Sequence, residues 1–568
     1  MKNQVNTNTF SNKFDRKPSS RRTFFSKSGQ VLGGLGIAGI AGFCAADTNK
    51  ESSPNISKNI ISVKDFGAVG DGVHDDTSAF NKAIAHTNAH SSVAGGNGTK
   101  GATLFIPDGD YNIPNGLSEK IQADNITIVG ESSAGTIIKA QKGQVFVWEH
   151  PKYILIGGGV RSLKFTGNEI NCTATLIKVT YGARMNFVDI QLRNTYRFAV
   201  LGNNKKHYAG SMYFSEIFGY VRNAGQAVID ARYGSGLYID NVSVYPNSVG
   251  FPSERKPHPV DVGTDFLNLV TGSWDTVVLS NITTLRFYRN IYVVVTKGVN
   301  ISNLYMTNCI FDTGAKSSIE IVGQGGNATK YNISNCWLVA MDGCGVDISG
   351  DRGLLEHFHF HNCVSLLSGK HGFSFDGKAV KKVSVNQCQS IGQGRLEDKK
   401  AYGIYANNPE IEIIGGSHGL NGKNYYRSPK LWANYGICIT SRCTKHRIIG
   451  VESDGDSNNT GRGGDGFLIS TFNKPSSSRV IMGNICANGD KPSYAKLQTI
   501  PTPASGKETT NTKGMTVVLY IRDGIISAVK KNSITVFTIT NVTIELSPGD
   551  KYSLVYTTPP TVLEDIKP

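Results

Sequence analysis

The feature that most restricts this chain's fold is a repeat marked by two independent signs. Cysteines preceded by polar amides recur as "TNC" ending at Cys309, "SNC" at Cys336, "HNC" at Cys363 and "NQC" at Cys388, in steps of 27, 27 and 25 residues. A second series opens on glycine: "GVDI" at Gly345, "GFSF" at Gly372, "GIYA" at Gly403, "GICI" at Gly436 and "GFLI" at Gly466. Two markers advancing together define one structural unit per step. Each unit holds short alternating apolar strands broken by Gly, Asn and Asp, with no amphipathic helix. Such units bury their apolar faces by stacking, as coils of a β-solenoid about 4.8 Å apart. Equivalent residues then line up along the axis. Asparagines at a bend bond to their neighbours and to turn backbone, and the cysteines beside them stack inward as small apolar groups. One cysteine per coil favours free thiols over disulfides, and the spacing of zinc sites is absent.

The two ends of the chain read differently. "SSRRTFFSK" places Arg21-Arg22 before Phe24-Phe25, and the Gly-rich apolar stretch Val31–Ala46 follows. Residues 1–46 are therefore expected to be an export signal of the twin-arginine type, followed by a linker over 47–60. The expected location is periplasmic or extracellular, with no membrane span once the signal is removed. Seven of the 59 basic residues and one of the 44 acidic ones lie in that segment, leaving +9 of the +15 formal charge. A basic exported protein suits an anionic partner such as acidic polysaccharide. Without a patterned basic helix, nucleic acid is excluded as the expected partner. At the other end, the Pro/Thr/Ser-rich residues 499–514 read as a linker. Residues 515–568 hold four or more alternating strands with "SPGD" (Ser547–Asp550) as a turn, a small β-sandwich-like module.

Between them, "DFGAVGDGVHDDTSAFNKAIA" (Asp65–Ala85), "ATLFIPDGDYNI" (Ala102–Ile113) and "ITIVGES" (Ile126–Ser132) resemble the opening of the pectate-lyase-like superfamily. The resemblance extends over roughly Ile61–Asn484. It implies an all-β fold, a right-handed parallel β-helix over 61–490, with an N-terminal capping helix. It assigns the acids of the opening motif to structure: Asp75 or Asp76 caps a short helix that turns Ala79, Phe80, Ala83 and Ile84 inward. The superfamily includes polygalacturonase-like hydrolases, polysaccharide lyases, uronate epimerases and phage tail-spike depolymerases. The ending "LSPGDKYSLVYTTPPT" is similar to the C-terminal module of phage tail depolymerases, a setting that implies a homotrimer; a carbohydrate-binding module is the competing reading.

The chain departs from the polygalacturonase pattern. Asn-Thr-Asp and Gly-His-Gly are absent, "RII" (Arg447–Ile449) stands where Arg-Ile-Lys belongs, and "KPHPVD" (Lys256–Asp261) only echoes the epimerase Asp-Pro-His. Candidate catalytic residues are therefore sought in the repeat. Strand alternation sends Val346 and Ile348, Phe373 and Phe375, and Ile437 and Ile439 inward. The outward columns then read Asp347, Ser374, Tyr405, Cys438, Leu468 and Ser349, Asp376, Asn407, Thr440, Ser470. Asp347 and Asp376 fall one coil apart and two residues offset, roughly 8 Å, which suits the acid and base of an inverting glycosidase. His371, Tyr405, Tyr435 and Trp432 are the candidate substrate-binding residues, aromatic faces being common sugar platforms. The expected activity is hydrolysis of an extracellular, acidic polysaccharide without a cofactor. One alternative is a lyase using Lys370 or Arg395, with Ca²⁺ to neutralise a uronate. The other is a non-catalytic glycan-binding or adhesin scaffold. Two further clusters are weaker candidates: Glu254, His258, Asp261, Asp265 and Asp275, and the one-faced set His357, His359, His361, for which an amphipathic strand is the plainer reading.

Overall fold

The computed structural model describes residues 59–95, 100–167, 171–222, 224–247, 263–394, 401–420, 433–443, 445–455, 467–469, 479–482, 484–486, 498–512, 516–539 and 541–567. The expected export signal, Glu254, His258, Asp261, Arg395 and Trp432 lie outside the described residues. Among the described residues no helix is long and apolar enough to cross a membrane.

The chain is wound into a right-handed parallel β-solenoid of about 12 turns. Each full coil gives one strand to each of three parallel sheets. The first sheet contains Thr175–Val179, Arg197–Leu201, Ala227–Ala231, Asp265–Leu269, Arg289–Thr296, Phe373–Asp376, Tyr402–Asn407 and Tyr435–Ile439, together with the opening halves of Ser317–Ser334 and Val346–His361. Coil stacks on coil in register: Tyr292 opposes Glu320, Glu320 opposes Asp347, Asp347 opposes Ser374, and Ser374 opposes Tyr405. The inward positions are the expected ones. Val346, Ile348, Phe373, Phe375, Ile404, Ile437 and Ile439 are all buried. Removing a side chain the size of Phe375 from water contributes about 1.5–3 kcal/mol, so a register slip of one residue would forfeit this on every coil.

The corner between the second and third sheets explains the asparagine marker. Asn281, Asn308, Asn335, Asn362 and Gln387 stand one above another there, all with positive φ between 49° and 54°. Left-handed backbone costs most residues about 1–2 kcal/mol, a cost that asparagine lowers by bonding locally. Asn362 Nδ2 donates to Asn335 Oδ1 at 2.8 Å, so the amides also bond along the axis. The adjoining Cys309, Cys336, Cys363 and Cys388 are buried free thiols. Each of the last two donates to a carbonyl two residues back, Cys363 to His361 and Cys388 to Asn386.

The acid-rich opening motif is also structural. The helix Thr77–His90 buries Ala79, Phe80, Ala83, Ile84 and Thr87. Asp76 occupies the cap position, but its side chain makes no capping bond. Instead it accepts from the backbone N–H of Val69 at 2.6 Å and of Gly70 and Asn112 at 3.3 Å, stitching the preceding turn to the next coil. Asp75 supplies the helix-start bond, accepting from Thr77 N–H at 2.9 Å. Gly70 needs its freedom twice over: φ is +66°, and a Cβ there would meet the Tyr111 ring at 2.8 Å.

Residues 498–567 form two four-stranded antiparallel sheets around their own core, which includes Val517, Leu519, Ile521, Val529 and Leu554. Part of the stretch expected as a linker belongs to these sheets. Gln498–Ile500 pairs with Thr561–Lys567, and Thr509–Thr510 with Lys551–Thr558. Both are short edge strands, the one place where a Pro- and Thr-rich segment can join a sheet.

Candidate active site

The outward face of the first sheet gathers the carboxylates. Asp347 and Asp376 sit on it as the repeat placed them, Ser349 opposing Asp376 while Asp347 opposes Ser374. Both are half-buried. Asp376 is oriented by a polar ladder: Asn407 Nδ2 donates to its Oδ1 at 2.7 Å, and Thr440 Oγ1 donates to Asn407 Oδ1 at 2.6 Å. Asp347 differs in its surroundings. Burial, then the neighbouring Glu320 charge, push its carboxyl up to about 6, against the opposing pull of Lys316 and Lys370. Two aspartates of the same type are thus placed in different environments on one surface.

Glu320 was not among the sequence candidates. It is 5 % exposed and anchored by cations, with Lys316 Nζ at 2.7 Å and Arg289 Nη1 at 3.8 Å. Arg289 in turn grips Asp265 with two bonds of 2.9 and 2.8 Å, and its guanidinium lies 3.3 Å over the Tyr292 ring. Asp265 is 4 % exposed, and burial raises its carboxyl against the pull of Arg289. The network is therefore a charged foundation under the surface pair. Its signal was present in the sequence. Ile319-Glu320-Ile321 repeats the frame Val346-Asp347-Ile348, but Ser318 stands where Gly345 opens the next coil, so the glycine series begins one coil too late.

His371, Tyr405 and Tyr435 come together with Tyr402. The His371 ring stacks on Tyr402 at 5.1 Å and on Tyr405 at 5.0 Å, and Tyr402 stacks on Tyr435 at 6.4 Å. His371 Nδ1 accepts from Tyr402 N–H at 3.1 Å, so the ring proton sits on Nε2. Burial first, then Lys370, push this imidazole down to about 4, which keeps it neutral near pH 7. Burial and then Asp376 raise the Tyr405 phenol, which stays protonated as a donor beside the acid pair. The rings form a wall at one end of the carboxylate face.

The weaker clusters do not assemble there. Asp265 belongs to the foundation, whereas Asp275 accepts from Ser302 and Asn303 on the second sheet. His357 and His359 border a cleft of about 280 Å³ on that same sheet, also lined by Lys382, Glu410, Glu412 and Arg447. Its carboxylates are taken up in ion pairs, Lys445–Glu410 at 2.9 Å and Arg447–Glu412 at 2.8 Å. Among the described residues no three metal-ligating side chains converge.

Comparison with known proteins agrees with this architecture. Mannuronan C5-epimerase AlgE3 of Azotobacter vinelandii is 38% identical over 87 residues, which are 15% of this chain and 4% of that protein. Alginate lyase 7 of the same organism is 40% identical over 85 residues, 14% of this chain and 9% of its own length. The chain thus spans less than a tenth of the length of either relative. Among solved structures, the N-terminal fragment of bacteriophage Phi29 gene product 12 superposes with a TM-score of 0.51 at 14% identity, covering 76% of this chain and 71% of that one. Residues 60–310 match the model of the rhamnogalacturonase A/epimerase, pectate lyase-like family, and the right-handed parallel solenoid is the fold that the pectate-lyase-like resemblance implied.

Proposed function

We propose that the protein is a polysaccharide-active enzyme that hydrolyses an extracellular glycan, with Asp347 as general acid and Asp376 as general base. The observation that carries the reading is the raised Asp347 carboxyl beside the hydrogen-bonded Asp376 on one outward face. An acid must hold its proton near the working pH to give it to the leaving oxygen, and a value of about 6 allows that. A base must be aimed, and the Asn407 amide holds and directs the Asp376 carboxylate. One coil and two residues separate the pair by roughly 8 Å, room for a water and so for inversion. Glu320 is too deeply buried to touch a glycan. It acts through Asp347, whose proton it helps to retain, and is a positioning residue. The ring wall of His371, Tyr402, Tyr405 and Tyr435 borders the sugar track, and Lys316 and Lys370 favour an acidic chain.

A second reading is favoured by Lys370, whose charge reaches Asp347. The short matches to a mannuronan epimerase and an alginate lyase support it too. In that case a base removes the proton α to a uronate carboxylate, and lysine neutralises the carboxylate. Incubating the protein with a panel of exported and capsular polysaccharides separates the two. New reducing ends without ultraviolet absorbance indicate hydrolysis. Products absorbing as unsaturated uronates indicate elimination. No product from any member of the panel overturns both.

A further inference from the structure

At the corner where the first sheet turns into the second, successive coils build a cleft of about 370 Å³. Tyr208, Tyr233, Ser273 and Asn300 stand one above another there, since the residues that follow them are in register: Ala209 opposes Gly234, Gly234 opposes Trp274, and Trp274 opposes Ile301. Lys205, Ser235, Gly234 and Gly298 complete the lining, and no carboxylate takes part. The rings are held in place. Tyr208 meets the Tyr181 ring edge-on at 5.6 Å, and Tyr233 lies over Gly272, where a Cβ would come within 2.4 Å of its ring.

The polar side chains of this cleft are donors without partners. The Ser273 hydroxyl oxygen accepts from Asn300 N–H at 3.0 Å, and Asn300 Oδ1 accepts from Asn327 Nδ2 at 2.9 Å. Those bonds use acceptors and leave the Ser273 O–H and the Asn300 amide N–H groups to spare. Among the described residues no hydrogen bond or ion pair engages the side chains of Lys205, Tyr208, Tyr233 or Ser235. The cleft beside His357 and His359 is the contrast, because Glu410 and Glu412 already neutralise its Lys445 and Arg447.

We propose that this corner cleft is a binding site for an acidic sugar, a uronate residue held away from the Asp347–Asp376 pair. A tyrosine ring gives the apolar surface against which a sugar ring packs, with a polar tip at its rim. The Lys205 ammonium meets the sugar carboxylate in a charge-assisted bond. Ser235, Ser273 and Asn300 donate to the hydroxyls. Coil spacing puts the cleft two to five coils before Asp347, roughly 10–24 Å along the axis. Asp376 ends its first-sheet strand at this same corner, so a long glycan anchored in the cleft can follow one edge of the solenoid to the pair. The inference rests on the reading of the protein as glycan-active, and not on the roles given to Asp347 and Asp376.

Calorimetric titration of the full chain with a galacturonate trisaccharide tests this, with neutral maltotriose as the control. The acidic trisaccharide should bind at least about tenfold more tightly than maltotriose, the difference that one charge-assisted bond supplies. Lys205→Gln and Tyr208→Ala should each weaken that binding by about tenfold or more and leave the melting temperature unchanged, since both side chains are exposed. Asp347→Asn should leave the binding in place, which separates this site from the proposed catalytic pair. No binding of the acidic trisaccharide, equal binding of the neutral one, or sites undiminished in number and affinity in Lys205→Gln and Tyr208→Ala would overturn the proposal.

Discussion

Glu320 and Asp347 stand directly opposite each other on adjacent coils of the first sheet, the glutamate buried among cations and the aspartate half-open to solvent. After burial itself, the glutamate charge is the largest influence holding the Asp347 proton in place. Replacing Glu320 by Gln removes that charge and keeps the volume. The Asp347 carboxyl should then titrate lower, and the alkaline limb of the kcat/KM profile should move to lower pH. Activity near pH 5 should change little while activity near pH 7 falls. A uniform loss at all pH values would mark Glu320 as structural only.

Asp347 should also weaken the fold at neutral pH. Its folded pKa of about 6 lies above the ordinary 3.8. Well below pH 3.8 the group is protonated in both folded and unfolded chains and contributes no difference. Between about pH 4 and 6 the unfolded chain ionises while the folded one holds its proton, so the cost grows, and above pH 6 it levels off at about 3 kcal/mol. Asp347→Asn should therefore raise the urea midpoint at pH 8 and leave it nearly unchanged at pH 3.5. Equal midpoints at pH 8 would show that the carboxyl is not held up.

Much of this was legible in the sequence, for a definite reason. A parallel solenoid stacks equivalent residues, so the spacing of Cys309, Cys336, Cys363 and Cys388 reports the coil, and alternation about Val346 and Ile348 reports which side chains face out. What escaped depended on contacts between coils of unlike sequence. Glu320 lies in a coil that opens on Ser318, without the glycine marker. The depth of His371 comes from Tyr402 and Tyr405 closing over it from the next coil. Asp76 has the sequence signature of a cap, yet bonds to Val69, which precedes it in the turn.

Arg289 should be indispensable to stability. It is held between Asp265 and Glu320, both at most 5 % exposed. Arg289→Met leaves two buried carboxylates facing each other, a loss of about 3–5 kcal/mol. Arg289→Lys should recover little, since an ammonium neither forks onto Asp265 nor lies flat on Tyr292. Urea unfolding of both variants checks this. A fully stable Arg289→Lys protein would contradict the network.

The asparagine corner predicts a graded series. Asn335→Ala loses both the bond from Asn362 and the residue's tolerance of positive φ, at about 2 kcal/mol. Asn335→Gly restores the backbone freedom and should recover part of that loss. Thermal melts should rank wild type above Gly above Ala. A Gly variant no more stable than the Ala variant would mean that the amide bonds, rather than the backbone, hold the corner.

The most direct test of the central claim is turnover by Asp347→Asn and Asp376→Asn on a polysaccharide that the wild-type protein cleaves, measured as new reducing ends. General acid and base groups each contribute about 10²–10⁴-fold. The account predicts that each variant keeps the wild-type circular dichroism spectrum and loses at least about 10²-fold in kcat. Near-wild-type turnover by both variants would contradict it and move the chemistry off this face of the solenoid.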